Sequence, residues 1–122
     1  MLFETRYFLA RFTTKDTEDL KKLRALLERS RARSASSVSI YEIYKLSLEQ
    51  EGRDVAALRT SIIEKQFDII GVDSEIAREG AKISSKLKVP MADALIMATA
   101  KKLQIACVTD DPHFSEAKRV WI

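Results

Sequence analysis

The hydrophobic residues of this chain fall into two patterns that follow one another repeatedly. Short apolar runs predict buried strands, and longer segments with an apolar residue every three or four positions predict amphipathic helices. Leu23 and Leu26 lie at helical spacing in a segment that Asp16 or Thr17 can cap and that ends near Ser30. The chain is therefore expected to alternate between short strands and longer helices.

The pattern predicts five strands and six helices. The strands are expected at residues 1–3, 35–38, 67–72, 105–109 and 120–122. The helices are expected at residues 6–12, 16–30, 39–51, 54–65, 74–87 and 90–103. Strands that alternate with helices form a parallel sheet covered by helices on its faces. The predicted fold class is α/β, a three-layer α/β/α arrangement with a short central parallel sheet.

Length and composition favour a single domain over residues 1–122. With 122 residues and 46% hydrophobic content, the chain can bury one core. No repeat or Pro/Gly/Ser-rich linker interrupts it, and no apolar run has the length of a membrane span. The expected location is the cytoplasm, and Cys107, which has no cysteine partner, is expected to be a small buried hydrophobe.

The charge is modest overall and uneven along the chain. The net charge is +3, and the first 34 residues carry nine Lys or Arg against five Asp or Glu. The run Arg29, Arg31 and Arg33 has two interpretations, a site for a polyanion or the solvated end of a helix. The chain has no Asn and many charged residues, a composition typical of thermophile proteins.

Acidic residues follow the predicted strands at several separate places. Glu4 follows the first strand, Glu42 lies in the helix after the second, and Asp110 and Asp111 follow the fourth. Asp93 starts the helix that leads into the fourth strand, and this helix runs antiparallel to that strand. Functional groups gather at the carboxyl ends of parallel strands. We therefore expect these acids to meet at one edge of the sheet.

Each acid also has a structural interpretation. Glu42 and Asp93 are expected in the first turns of helices, where a negative charge complements the helix dipole, and Asp111 before Pro112 is a good turn residue. A cluster of carboxylates nevertheless repels itself, and it usually holds a cation. Hard oxygen ligands suit Mg²⁺ or Mn²⁺. The lone His113 is expected to be a turn residue.

Four segments in order resemble the PIN domain, and within it the VapC-like toxin endoribonucleases of type II toxin–antitoxin modules. These are Glu-Thr and an apolar helix (residues 4–12), a Ser-rich strand entering a helix with an inward Glu (36–43), Ala-Asp-Ala at a helix start (92–96), and Thr-Asp-Asp with a following aromatic residue (109–114). The resemblance covers nearly the whole chain. It implies a Rossmann-like PIN fold and hydrolysis of RNA phosphodiester bonds with Mg²⁺ or Mn²⁺.

The resemblance also implies roles for individual residues. The metal-binding and catalytic positions would be Glu4, Glu42, Asp93 and Asp111. The supporting residues would be Thr5, Thr109 and Asp110. Arg6 or Lys45 would steer the RNA backbone.

Glu4 departs from the family, which has an Asp at this position. Its carboxylate lies one methylene farther out, and Mg²⁺ tolerates displaced ligands poorly. The resemblance therefore leaves two functions open: an active ribonuclease, or a degenerate PIN-like module that binds RNA or a protein.

Other classes fit the sequence less well. A receiver-type phosphotransfer domain needs an acidic pair after its first strand, and a haloacid-dehalogenase-like phosphatase needs Asp-x-Asp there; residues 4–6 supply neither. By analogy with the toxin family, the expected partners are RNA, a cognate antitoxin and a second copy of the chain in a homodimer, with no membrane.

Overall fold

Strands and helices alternate in the computed structural model, which describes residues 1–115 and 117–121. The strands are β1 (Leu2–Phe3), β2 (Ser34–Ser36), β3 (Asp68–Ile70), β4 (Cys107–Val108) and β5 (Arg119–Val120). The α-helices are α1 (Thr5–Thr13), α2 (Thr17–Arg29), α3 (Ser37–Glu51), α4 (Arg53–Gln66), α5 (Ser74–Leu87) and α6 (Met91–Leu103), and a 3-10 helix covers Pro112–Phe114.

The five strands form one parallel sheet in the order β3-β2-β1-β4-β5. β1 lies between β2 and β4, with Leu2 opposite both Ser34 and Cys107. This arrangement confirms the predicted α/β fold class. It also places the carboxyl ends of β1, β2 and β4 side by side at one edge.

Neighbouring residues of the central strands face opposite sides of the sheet. Phe3 and Val108 are buried in a cluster with aromatic and leucine side chains of α1 and α2. Leu2 and Cys107 are buried in a second cluster with residues of α6. The sheet is therefore a central layer with helices on both faces, which confirms the predicted three layers and the burial of Cys107.

The second strand and the helix after it start earlier than predicted. β2 ends at Ser36, whose hydroxyl accepts a hydrogen bond from the Val38 backbone at 3.0 Å and so caps α3. Because α3 begins at Ser37, Glu42 lies in its second turn, and the prediction of a first-turn residue is wrong. Its complementarity to the helix dipole is correspondingly weak.

Other predictions concern the ends of helices and strands. Asp16 caps α2, and its carboxylate accepts hydrogen bonds from the backbone N–H groups of Glu18 and Asp19. Arg33 donates through Nε to the carbonyls of Leu27 and Ser30, both at 3.2 Å, so it closes the end of α2. The predicted last strand is β5; its expected end, Ile122, lies outside the described residues.

Within the described part of the chain, no helix combines the length and the apolar character that crossing a membrane requires.

Candidate metal centre

The acidic residues meet because β1 and β4 are paired in register. Phe3 lies opposite Val108, so Glu4 and Thr109 are neighbours directly after the carboxyl ends of the two strands. The Glu4 backbone N–H donates to the Val108 carbonyl at 3.1 Å. Glu4 is also the cap of α1. The first and last acidic segments, which are more than 100 residues apart in the sequence, are thus directly joined.

Glu4 is almost completely buried at this junction, with 2% of its surface exposed. Its Oε2 accepts hydrogen bonds from the Thr109 hydroxyl at 2.7 Å and the Arg6 backbone N–H at 3.1 Å. Burial raises the pKa of Glu4 to about 7 against the effect of these hydrogen bonds, and the charges of Asp111 and Asp93 raise it further. The Glu4 carboxylate is held firmly inside an acidic neighbourhood.

Thr109 connects two of the acids through one hydroxyl group. It donates to Glu4 and accepts a hydrogen bond from the Asp111 backbone N–H at 3.0 Å. Asp111 in turn caps the 3-10 helix, because its Oδ1 accepts from the His113 backbone N–H at 2.9 Å. Thr109 therefore fixes the spacing between Glu4 and Asp111.

Glu42 is oriented by the start of α1. Its Oε1 accepts a hydrogen bond from the Thr5 hydroxyl at 2.7 Å, and that hydroxyl also contacts the Ser39 hydroxyl at 2.9 Å. Partial burial raises the pKa of Glu42, as do the charges of Asp93 and Asp111. Although α3 carries it at a later turn than predicted, Glu42 faces the other acids.

Asp93, Asp111 and His113 form the tightest group. His113 Nδ1 lies 2.6 Å from Asp93 Oδ2 and 3.4 Å from Asp111 Oδ1, and one ligand atom from each of the three residues lies within 4.8 Å of the other two. Burial raises the pKa of Asp93, a hydrogen bond from His113 opposes this effect, and the charge of Asp111 adds to it. Both aspartates are less than 10% exposed.

The structure places the remaining candidates in different roles. Asp110 does not join the three-residue group; its Oδ1 pairs with Arg6 Nε at 2.9 Å on the more exposed side of the edge. His113, interpreted from the sequence as a turn residue, does lie within the 3-10 turn, but its ring also contacts Asp93 and Asp111. An Asp two residues before it predicts the contact of the His113 backbone N–H with the Asp111 carboxylate, but no local signal indicates the contact of the ring with Asp93.

The donor set suits a divalent cation of the kind that the resemblance implies. Asp93 and Asp111 offer carboxylate oxygens within one small space, and Glu42 and Glu4 lie close enough for their charges to interact with both aspartates. Such hard oxygen donors are the ligands that Mg²⁺ and Mn²⁺ prefer. The residues therefore fit the metal.

We expect Thr5→Val to weaken Mn²⁺ binding about tenfold while the fold is kept. Valine has the same shape but no hydroxyl, so Glu42 loses the donor that orients its carboxylate. Isothermal titration with Mn²⁺ measures the effect, and Thr5→Ser, which keeps the hydroxyl, serves as the control. An unchanged affinity in Thr5→Val would show that this hydrogen bond does not prepare the site.

Comparison with known proteins agrees with this architecture. The model of the PIN domain family matches residues 1–120. A comparison with curated proteins finds no match.

Several solved structures have the same fold. The Mycobacterium tuberculosis toxin VapC20, named as cleaving the Sarcin–Ricin loop, has a TM-score of 0.78 at 16% identity, covering 95% of this chain and 94% of that one. A DNA-bound VapBC from Salmonella typhimurium has a TM-score of 0.79 at 13% identity, covering 98% and 96%. The FitAcB structure from Neisseria gonorrhoeae has a TM-score of 0.75 at 18% identity, covering 100% and 96%.

These likenesses reach across almost the full length of each chain, and they show a shared fold. The family match covers the segments that carry Glu4, Glu42, Asp93 and Asp111. This chain belongs to the PIN domain family.

Proposed function

We propose that this protein is a metal-dependent endoribonuclease of the VapC toxin kind, which hydrolyses RNA phosphodiester bonds with Mg²⁺ or Mn²⁺. The observation that carries the proposal is the meeting of Glu4, Glu42, Asp93 and Asp111 at one edge of the sheet, with the last two in one small group of ligand atoms. Membership of the PIN family supports a nuclease in general. The VapC20 and VapBC structures of the same fold support the toxin assignment.

The side chains have distinct parts in this proposal. Asp93 and Asp111 would hold the cation, with Glu42 beside them in the orientation that Thr5 sets. When bound, Mg²⁺ or Mn²⁺ supplies Lewis-acid stabilisation of phosphate charge and a water of lowered pKa. With a cation bound, Glu4 would add negative charge from the buried side, where Thr109 and the Arg6 backbone hold its carboxylate.

Arg6 is better placed than Lys45 to position an RNA backbone. The guanidinium of Arg6 is bound to Asp110, and its pKa is raised first by that hydrogen bond and further by the charges of Asp110, Asp111 and Glu4. About half of the side chain is exposed, so it can meet a phosphate at the edge of the acidic site. Lys45 lies exposed on the outer face of α3, beside Tyr41 and Leu48.

One observation favours the second function, a PIN-like module without nuclease activity that binds RNA or a protein. Both hydrogen bonds to Glu4 go to Oε2 inside the protein, and the raised pKa of about 7, caused mainly by burial, makes its carboxylate a weaker ligand near neutral pH. A site that depends on a fully charged fourth acid would then be impaired. The intact group of Asp93 and Asp111 favours the nuclease.

A measurement of RNA cleavage with and without divalent metal tests the proposal. We expect the purified protein to cleave a pool of tRNA and rRNA fragments in Mg²⁺ or Mn²⁺ and to lose this activity in EDTA, because the acids need a cation to act on phosphate. Glu4→Asp, which restores the family's residue, should keep or raise the rate. If neither protein cleaves RNA in either metal while both are folded, the non-catalytic module becomes the better assignment.

We also propose a cognate antitoxin partner and a homodimer. The solved structures of this fold include members of VapBC, a family of toxin–antitoxin systems. An acidic edge suits a basic side chain from an antitoxin. Exposed apolar residues, among them Tyr41 at 64% and Met91 at 75%, suit contact with a second copy, which sedimentation can detect as a dimer.

A further inference from the structure

The position of the His113 ring is not explained by its role in the turn or by exposure to solvent. Its backbone N–H completes the turn by donating to Asp111, while its ring lies against the acids, with Nδ1 2.6 Å from Asp93 Oδ2 and 3.4 Å from Asp111 Oδ1. Half of the side chain is exposed, so the ring could turn towards solvent without leaving a buried gap. It instead contacts the two aspartates that form the tightest part of the site.

The distances among these three residues suit a shared cation. Neighbouring ligands on an octahedral Mn²⁺ or Mg²⁺ lie roughly 3 Å apart, because each metal–ligand bond is about 2.1 Å. The separations of 2.6 Å and 3.4 Å from Nδ1 to the two oxygens lie on either side of this value. Without a cation, a proton on Nδ1 can join these atoms as a hydrogen bond. With the ring proton on Nε2, Nδ1 presents a lone pair at the place where a cation can take the position of that proton.

We propose that His113 is a ligand of the same cation that Asp93 and Asp111 hold, through Nδ1, and that this nitrogen makes the centre favour Mn²⁺ over Mg²⁺. The inference rests on the proposed function, since it assumes that the acids bind a metal. Mg²⁺ takes oxygen ligands, whereas first-row transition metals also bind imidazole nitrogen. The preference is thus a property of this chain's mixed nitrogen and oxygen donors.

The chain contains one histidine, so a signal from a histidine nitrogen has a single source. We expect pulsed electron paramagnetic resonance of the Mn²⁺-loaded protein, prepared without a histidine tag, to show nitrogen coupling. The coupling should change to that of ¹⁵N when histidine is ¹⁵N-labelled, and it should be absent in His113→Gln. Mn²⁺ that is bound but shows no histidine coupling would overturn the proposal and leave the metal centre itself intact.

Binding measurements provide the second readout. We expect His113→Gln to weaken Mn²⁺ binding at least about tenfold and Mg²⁺ binding much less. The substitution removes an imidazole nitrogen, which is a favourable ligand for the transition metal but not for Mg²⁺. Ser115→Ala, an exposed change next to the same 3-10 helix, is the matched control. An equal loss for both metals would overturn the selectivity, and a wild-type protein that binds neither metal would overturn both this inference and the proposed nuclease.

Discussion

Asp93→Asn is expected to lower RNA cleavage at least about a hundredfold, because losing a metal ligand should cost more than the 10–100-fold typical of losing a supporting contact. The substitution keeps the shape of the side chain and an oxygen that can accept from His113 Nδ1, but it removes the negative charge. Asp93 is 9% exposed and stands beside Asp111, so water cannot replace the lost ligand easily. The measurement is the initial rate of cleavage in Mn²⁺.

The matched control is Asp54→Asn. Asp54 also lies in the first turn of a helix, α4, but it is exposed, and it is not one of the acids that meet at the site. Both substitutions remove a charge that complements a helix dipole, worth about 0.3–1 kcal/mol. The activity of a contaminating nuclease would be the same in the preparations of both variants. Equal activity of Asp93→Asn and the wild type would therefore remove Asp93 from the catalytic site.

The second expected result concerns stability without metal. The free energy of unfolding in EDTA should fall by roughly 3 kcal/mol as the pH rises from about 4.5 to above 7, since each unit of pKa difference is worth about 1.4 kcal/mol. The cause is Glu4, whose pKa is raised by burial from an ordinary 4.5 to about 7. Above pH 4.5 the unfolded chain releases this proton while the folded protein keeps it. The folded state therefore binds more protons, and its stability decreases as the pH increases.

Cation binding should reverse this loss of stability at higher pH. Glu42 and Asp93 also have a raised pKa from burial, so they contribute in the same direction as Glu4. Millimolar Mn²⁺ binds the charged carboxylates of the folded state and should restore most of the lost stability at pH 7.5. Urea unfolding at several pH values, with and without Mn²⁺, measures both changes.

Glu4→Gln isolates the contribution of Glu4. The amide oxygen can still accept the hydrogen bonds from Thr109 and the Arg6 backbone, but the side chain cannot ionise. Its pH dependence in EDTA should be much flatter than that of the wild type. Glu18→Gln, an exposed change in the first turn of α2, should leave the wild-type slope in place. A steep slope that persists in Glu4→Gln would assign the effect to other groups.

Much of the fold and the site could be predicted from local sequence patterns. Helical spacing of leucines, the cap at Asp16 and short apolar runs each depend on residues within one or two turns of the chain. Because parallel strands place their carboxyl ends at one edge, the topology alone predicts that Glu4, Asp93 and Asp111 come together. The structure joins these residues as expected.

The contacts that shape the site depend on residues far apart in the sequence, and only the tertiary structure decided them. Thr109 bridges Glu4 and Asp111 because β1 and β4 pair in one register. Asp110 forms an ion pair with Arg6, which is 104 positions away in the sequence. His113 reaches Asp93 because α6 and the 3-10 helix meet. The sequence by itself determined which elements form and which acids share an edge. Side-chain packing between distant segments determined which atoms touch, and no local pattern encodes those distances.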